Sequence, residues 1–199
     1  MGESFLGKNP ASLVLGDNIF FGHGLQPLLQ DARKATDGCV LFGYRVEDPE
    51  RYGVAKLDSA GKVLSIEEKP KHPQSQIAVT GLYFYDDQVV DIAKSLRPSP
   101  RGELEITDLN NVYVKRGTAR IELLTRGMAW LDTGTPESLL KAAQFVHVIE
   151  SRQGTHIACI EEIAFRMGYI DAEKLEALAA PLAKSEYGAY LRSVLDEAR

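Results

Sequence analysis

The chain has 199 residues, 44% of them hydrophobic and 26% charged, enough to bury a core without a partner. Its formal net charge of -5 and the lack of a Lys/Arg run argue against a nucleic-acid polymer as ligand, because phosphate backbones select clustered cations. No charged-then-apolar leader opens the sequence and no apolar stretch approaches spanning length, so a soluble cytoplasmic protein with no membrane partner is expected.

In chain order, "SLVLG" at 12–16 reads as a buried apolar strand that stops on Asp17 and Asn18, and "HGLQPLLQDARKAT" follows with Leu25, Leu28, Leu29 and Ala32 at helical spacing. "CVLFGYRV" at 39–46 is a second apolar strand. "YGVAKLD" and "KVLSIEEK" flank "SAG" at 59–61 as two arms of a hairpin. "AVTGLYFYD" at 78–86 is a further strand, rich in β-branched and aromatic residues. Two helices come next, one with Val89, Ile92, Ala93 and Leu96 on a face, the other with Ile106, Leu109 and Tyr113 and a stop near Gly117. "RIELLT" at 120–125 and "AWLD" at 129–132 are short strands. Thr135, Pro136 and Glu137 specify a helix start, and Gly154 its end. Beyond lie helical segments near 161–167, 171 and 185, with Leu175, Leu178, Ala179 and Leu182 on one side despite Pro181. Alternating strand and helix around one sheet gives an α/β fold with an antiparallel insertion, over residues 1–154, and a helical segment over 155–199.

In an open α/β sheet, ligands bind beyond the carboxyl ends of strands. Asp17 and Asp132 each follow such a strand, and two carboxylates meeting there would suit Mg²⁺, which takes one or two carboxylates plus substrate phosphates. Either residue equally starts a turn, and spacing alone does not choose. In "SIEEKP" strand alternation turns only one of Glu67 and Glu68 toward a crevice, where Glu68 could accept from sugar hydroxyls and Lys69 could neutralise a phosphate. A solvated charge run is the plainer account of the same residues. Arg101 in "SPRGELEITD" could clamp a phosphate or simply sit on a surface turn. The glycines of "RYGV" and "VTGLY" mark a close approach or a bulge. The four histidines lack metal-ligand spacing, Cys39 and Cys159 read as core or surface thiols of a reducing cytosol, and no GxSxG, GxGxxG or GxxxxGK[ST] occurs.

Taken together and in order, "LVLGDN", "DPERYGV", "EEKP", "AVTGLYFYD", "SPRGELEITD" and "WLDTGT" resemble the sugar nucleotidyltransferases, of the type that joins a thymidylyl group to glucose 1-phosphate. The resemblance implies a Rossmann-like nucleotidyltransferase sheet. The family's opening strand and its GGxGTRLxPxT loop have no counterpart before "SLVLG", so a sheet lacking its first strand or strands is expected, with that edge unpaired and the chain inactive by itself. Carried over position by position, Asp17 and Asp132 would hold Mg²⁺, Gly53, Glu68 and Val79 would line the glucose, and Lys69 and Arg101 would hold its phosphate as the catalytic cations. The substrates would be dTTP and glucose 1-phosphate, for dTDP-glucose and dTDP-L-rhamnose synthesis. A second site for a dTDP-sugar effector, at an interface of a homotetramer, would draw on Gly22, His23, Arg126, Gly127, Glu162, Ile163 and Arg166. Uridylyl, cytidylyl or adenylyl specificity is the nearest alternative. From a different class, a non-catalytic module for sugar-phosphate or effector binding and oligomerisation fits the same strings.

Overall fold

In the computed structural model, which describes residues 2–34, 37–99 and 102–198, the chain divides into two units, Met1–Thr135 and Pro136–Arg199. The first runs α1 (Glu3–Leu6), β1 (Ala11–Val14), β2 (Asn18–Phe21), α2 (Leu25–Arg33), β3 (Cys39–Arg45), β4 (Gly53–Leu57), β5 (Val63–Glu68), β6 (Ile77–Tyr85), α3 (Val89–Ser95), α4 (Ile106–Arg116), β7 (Ala119–Leu123) and β8 (Ala129–Asp132).

A sheet in the order β5-β4-β6-β3-β7 forms its centre, with β1 also paired to β6. β3 occupies one edge of β6, so β1 and β4 share the other, β4 at Ala78 and β1 from Leu82 to Tyr85. Only β3 and β7 run parallel, and β6 is antiparallel to all three of its partners. Antiparallel pairing therefore reaches beyond the expected hairpin. That hairpin is closed by Asp58, whose carboxylate accepts from the Ala60 and Lys62 amides at 2.9 Å each.

Both faces of the central strands are covered, which is why their sequences read as unbroken apolar runs. Cys39, Leu41, Val79, Tyr83 and Tyr85 point to one face and pack with Val89, Ile92, Leu109 and Tyr113 of α3 and α4. Val40, Phe42, Ala78 and Leu82 point to the other and meet Leu25, Leu28, Leu29 and Ala32 of α2, together with Phe20 and Trp130. The result is a three-layer unit with helices on both sides of the sheet.

One expectation fails at β1. Its apolar run predicts a buried strand, yet Leu13 is 40% exposed and Val14 57%. Among the described residues β1 pairs with β6 alone, so it lies on the sheet's margin and its apolar side chains stay in contact with solvent.

The second unit is helical: α5 (Pro136–Gln153), α6 (Ile160–Arg166), α7 (Ala172–Ala179) and α8 (Glu186–Glu197). Asp171 caps α7 by accepting from the Lys174 amide at 2.8 Å, and Ser185 caps α8 by accepting from the Gly188 amide at 3.1 Å. Its core joins Cys159, Leu175, Ala179, Leu191, Val194 and Leu195. Leu178 and Leu182, expected beside Leu175, are instead each 37% exposed, and at Pro181 the chain leaves α7 for a short 3-10 segment, Ala180–Leu182. Both cysteines are buried and free, and among the described residues no helix is long and apolar enough to cross a membrane.

Candidate active site

The carboxyl end of β1 and the small β2–β8 sheet bring Asp17 and Asp132 together. The register pairs Asn18 with Asp132, so Asp17, one residue earlier, sits beside the end of β8. The Thr133 amide and hydroxyl both donate to the Asp17 carbonyl, at 2.8 and 2.9 Å, and fasten the two chain segments. Gly134 shows how near the carboxylates lie. A Cβ placed there would stand 3.2 Å from Asp132 Oδ1 and 3.6 Å from Asp17 Oδ2.

These carboxylates open onto a cleft of about 220 Å³. Gly53, Glu68, Lys69 and Val79 line it too, so six of the expected site residues share one hollow. Arg101 lies outside the described residues. Of the "EE" pair, Glu67 is exposed while Glu68 faces inward, accepting from the Thr107 hydroxyl at 2.6 Å. Gly53 lies under that contact: a Cβ there would fall 3.2 Å from Thr107 Oγ1 and 3.3 Å from Glu68 Oε2, so a larger residue would press on both side chains. Lys69 is held in a left-handed conformation, φ 43°, and its amide donates to the Tyr52 carbonyl at 3.0 Å. A non-glycine residue there carries backbone strain, a frequent companion of ligand-holding positions.

Asn18, Arg51, Tyr52, Thr107, Asn110 and Trp130 also line the cleft and were not assigned from the sequence. Asn18 organises the end of the cleft beside Asp17. Its Oδ1 accepts from Trp130 Nε1 at 2.6 Å and from the Gly81 amide at 3.1 Å, and its Nδ2 donates to Asp17 Oδ1 at 2.8 Å. Gly81 of "VTGLY" is the counterpart, because a Cβ would come within 2.7 Å of the Asn18 amide. The close approach marked by that glycine is thus a side chain. The one signal of it in the sequence is the polar pair after "LVLG", in which the Asp carries the metal-ligand chemistry and the Asn only that of a turn. Trp130 is bracketed edge-on by Tyr52 and Tyr44, at 5.0 and 6.0 Å between ring centres.

The cleft is lined by three acidic side chains, Asp17, Asp132 and Glu68, and two basic ones, Lys69 and Arg51. Arg51, whose guanidinium bonds Asp48 at 2.9 Å, is pushed above its ordinary range by that hydrogen bond. Tyr83 is driven upward by burial and secondarily by Glu68, so its phenol is a neutral donor here. Two close carboxylates are hard oxygen donors of the kind that suit Mg²⁺. Among the described residues no three His, Cys, Asp or Glu gather at metal-holding distance, so a cation would draw its other ligands from substrate or solvent. Glu68 can accept from hydroxyls and Lys69 can meet a phosphate.

The residues carried over to an effector site fall into two groups, one in each unit. Gly22 packs on the turn made by Arg126 and Gly127: its Cβ would lie 2.7 Å from Met128 Cα and 2.9 Å from the Gly127 carbonyl. His23 beside it is exposed. In α6, Glu162 accepts from Arg166 Nε at 2.7 Å and from the Tyr190 hydroxyl, while Ile163 is 51% exposed.

Comparison with known proteins bears on this arrangement. The family described as Nucleotidyl transferase matches residues 1–148. A glucose-1-phosphate thymidylyltransferase of Xanthomonas campestris pv. campestris (strain B100) is 57% identical over 194 residues, 98% of this chain. The protein of that name from Neisseria meningitidis serogroup A is 51% identical over 195 residues, covering 98% of this chain and 68% of its own. The chain spans 66% of the length of the Xanthomonas relative. Among solved structures, a Bacillus anthracis protein described as a glucose-1-phosphate thymidylyltransferase in complex with a sucrose superposes with a TM-score of 0.65 at 42% identity. The match covers 72% of this chain and 57% of that one. A UDP-glucose pyrophosphorylase complexed with UDP-glucose shares the fold at 23% identity and a TM-score of 0.63, over 73% of this chain and 59% of its own. The match over residues 1–148, with relatives at 51–57% identity, shows that the chain belongs to the nucleotidyl transferase family.

Proposed function

We propose that this chain supplies the sugar-phosphate and metal half of a glucose-1-phosphate thymidylyltransferase, feeding dTDP-glucose into dTDP-L-rhamnose synthesis in the cytoplasm. The observation that carries the reading is the convergence of Asp17 and Asp132 over the cleft that holds Gly53, Glu68, Lys69 and Val79. In the reaction, a phosphate oxygen of glucose 1-phosphate forms a bond to the α-phosphorus of dTTP. The bond from that phosphorus to the oxygen bridging the β-phosphate breaks, and pyrophosphate leaves with the electron pair.

Each residue has a part in that displacement. Glu68, fixed by Thr107, accepts from glucose hydroxyls, and the space above Gly53 and Val79 admits the ring. Lys69 steadies the attacking phosphate as a point charge, aided by Arg101. Asp17 and Asp132 would hold a Mg²⁺, which when bound neutralises charge on the reacting phosphates. Asn18 restrains the Asp17 carboxylate by donating to its Oδ1, which would keep it oriented for such an ion. The sequence carries no glycine-rich phosphate loop, and loss of even one preorganised donor costs about 100-fold or more in rate, so this chain alone should bind sugar phosphate with little or no turnover. Gly22, His23, Arg126, Gly127, Glu162, Ile163 and Arg166 are proposed to serve a dTDP-sugar effector in a homotetramer.

The test is pyrophosphate release from dTTP, glucose 1-phosphate and Mg²⁺, by this chain and by one extended with the upstream segment of the Xanthomonas relative. Turnover only in the extended chain supports the reading. Intact Mg²⁺-dependent turnover in its Asp17→Asn or Asp132→Asn variant removes the metal assignment. Binding of glucose 1-phosphate with silence in both chains would favour a non-catalytic sugar-phosphate module.

A further inference from the structure

We propose that Asn110 reads the sugar, its side-chain Nδ2 donating to one ring hydroxyl oxygen. This rests on the cleft being a sugar 1-phosphate site. Asn110 stands in α4, one turn after Thr107, so the two share a face of the helix and both reach the wall of the cleft. Thr107 is committed, since its hydroxyl donates to Glu68. Asn110 is committed only on one side. Its Oδ1 accepts from the Tyr85 hydroxyl at 2.7 Å, within the aromatic stack of Tyr83, Tyr85 and Tyr113. Its Nδ2 is buried, in a residue 1% exposed, and has no hydrogen-bond partner.

Buried polar groups are nearly always paired, and an orphan calls for a reason. Here the Tyr85 bond engages the oxygen and orients the amide, leaving an unpaired donor on a residue that lines a cleft whose other polar walls suit hydroxyls. A sugar hydroxyl oxygen, which can accept while its own proton goes to Glu68 or another acceptor, is the complement. A site built to bond a hydroxyl rejects the analogue lacking it, because the buried group is then left unpaired. Asn110 would in this way set which sugar epimer or deoxy sugar is refused, while Glu68 and Lys69 supply general affinity.

The experiment is calorimetric titration of this chain with glucose 1-phosphate and its 2-, 3-, 4- and 6-deoxy analogues. It is repeated for Asn110→Asp, Asn110→Ala and Tyr85→Phe, with circular dichroism to confirm folding. The wild-type chain is expected to prefer glucose 1-phosphate over one particular analogue by about 3- to 10-fold through this bond. Asn110→Asp, which keeps an acceptor for Tyr85 but removes the donor, should erase that one preference and leave the other ratios as they were. Tyr85→Phe, which keeps the donor but releases the amide plane, should weaken that preference without abolishing it. Should Asn110→Ala fail to fold, the Asp variant decides. If glucose 1-phosphate binds and every ratio survives both Asn110 substitutions, the assignment of Asn110 is overturned while the cleft reading stands. If the wild-type chain binds no sugar 1-phosphate, the cleft reading falls and this inference falls with it.

Discussion

Asn18 and Gly81 form a matched pair whose geometry sets the end of the cleft beside Asp17. With a Cβ on residue 81 within 2.7 Å of the Asn18 amide, Gly81→Ala forces that side chain away from Trp130, the Gly81 amide and Asp17. The expected cost is about 1–3 kcal/mol of stability, read from urea unfolding. Because both residues act through one contact, adding Asn18→Ala to Gly81→Ala should cost less than the sum of the two, and additive losses would show the pair to be independent. Lys69 permits a second separation of effects. Its φ of 43° strains any residue with a Cβ, by roughly 1–2 kcal/mol, so Lys69→Gly should unfold at higher urea than Lys69→Ala. Both lose the ammonium, and should bind glucose 1-phosphate equally weakly in calorimetry. Equal stabilities would mean that the left-handed turn is not the strained feature it is taken to be.

At the scale of elements, Asp86 joins four pieces of the first unit. Buried at the end of β6, it accepts from the Gly38 amide before β3 at 2.9 Å and from the Gln88 amide before α3 at 3.0 Å. It also accepts from the Tyr113 hydroxyl of α4 at 2.7 Å. Asp86→Ala strands four donors, the Gln88 side-chain amide at 3.2 Å being the fourth and two of the four lying in buried surroundings, and should destabilise by about 2–4 kcal/mol, measured as a lower urea midpoint. Loss below 1 kcal/mol would show that neighbouring acceptors take over. None of this could be read from "YDD", where Asp86 looks like one more strand-ending acid. What could be read were elements with strong period or punctuation: α4 with its stop at Gly117, α5 with Pro136 at its start, and the hairpin around 59–61. β2 was missed, since "NIFF" is four residues long and has no alternation, and it is this strand that carries Asn18 across to Asp132. The margin position of β1 was hidden for a related reason. An apolar strand announces itself by composition, but how many neighbours it has is decided by pairing across the sheet. The site followed the same rule: charged residues at strand ends were visible, while Thr107 and Asn110 on the cleft side of α4 needed the helix to be docked first.

For the whole molecule, the clearest consequence lies on the alkaline side. Burial, with Asp86 nearby, pushes the Cys39 thiol up to about 12 from an ordinary 9.0. Burial likewise raises Tyr83, Tyr85 and Tyr113 above their ordinary 10.0, Tyr113 also through its bond to Asp86. All four belong to one core cluster, between the sheet and α3 and α4. In the folded chain these acids keep their protons where the unfolded chain has lost them. The folded state then binds more protons, and stability falls as pH rises. The contribution is fully present below pH 9.0, begins to be lost as the unfolded thiol ionises, and is lost faster above 10.0, where the tyrosines of the unfolded chain ionise too. Each group adds a slope of about 1.4 kcal/mol per pH unit once its unfolded form is ionised. Urea midpoints should therefore hold steady from pH 7 to about 8.5 and drop progressively through pH 10 and 11. Cys39→Ala should flatten the portion between pH 9 and 10 and leave the steeper tyrosine portion in place. A midpoint that stays level to pH 11 in the unsubstituted chain would mean that the cluster admits water, and that the three layers are looser than their packing indicates.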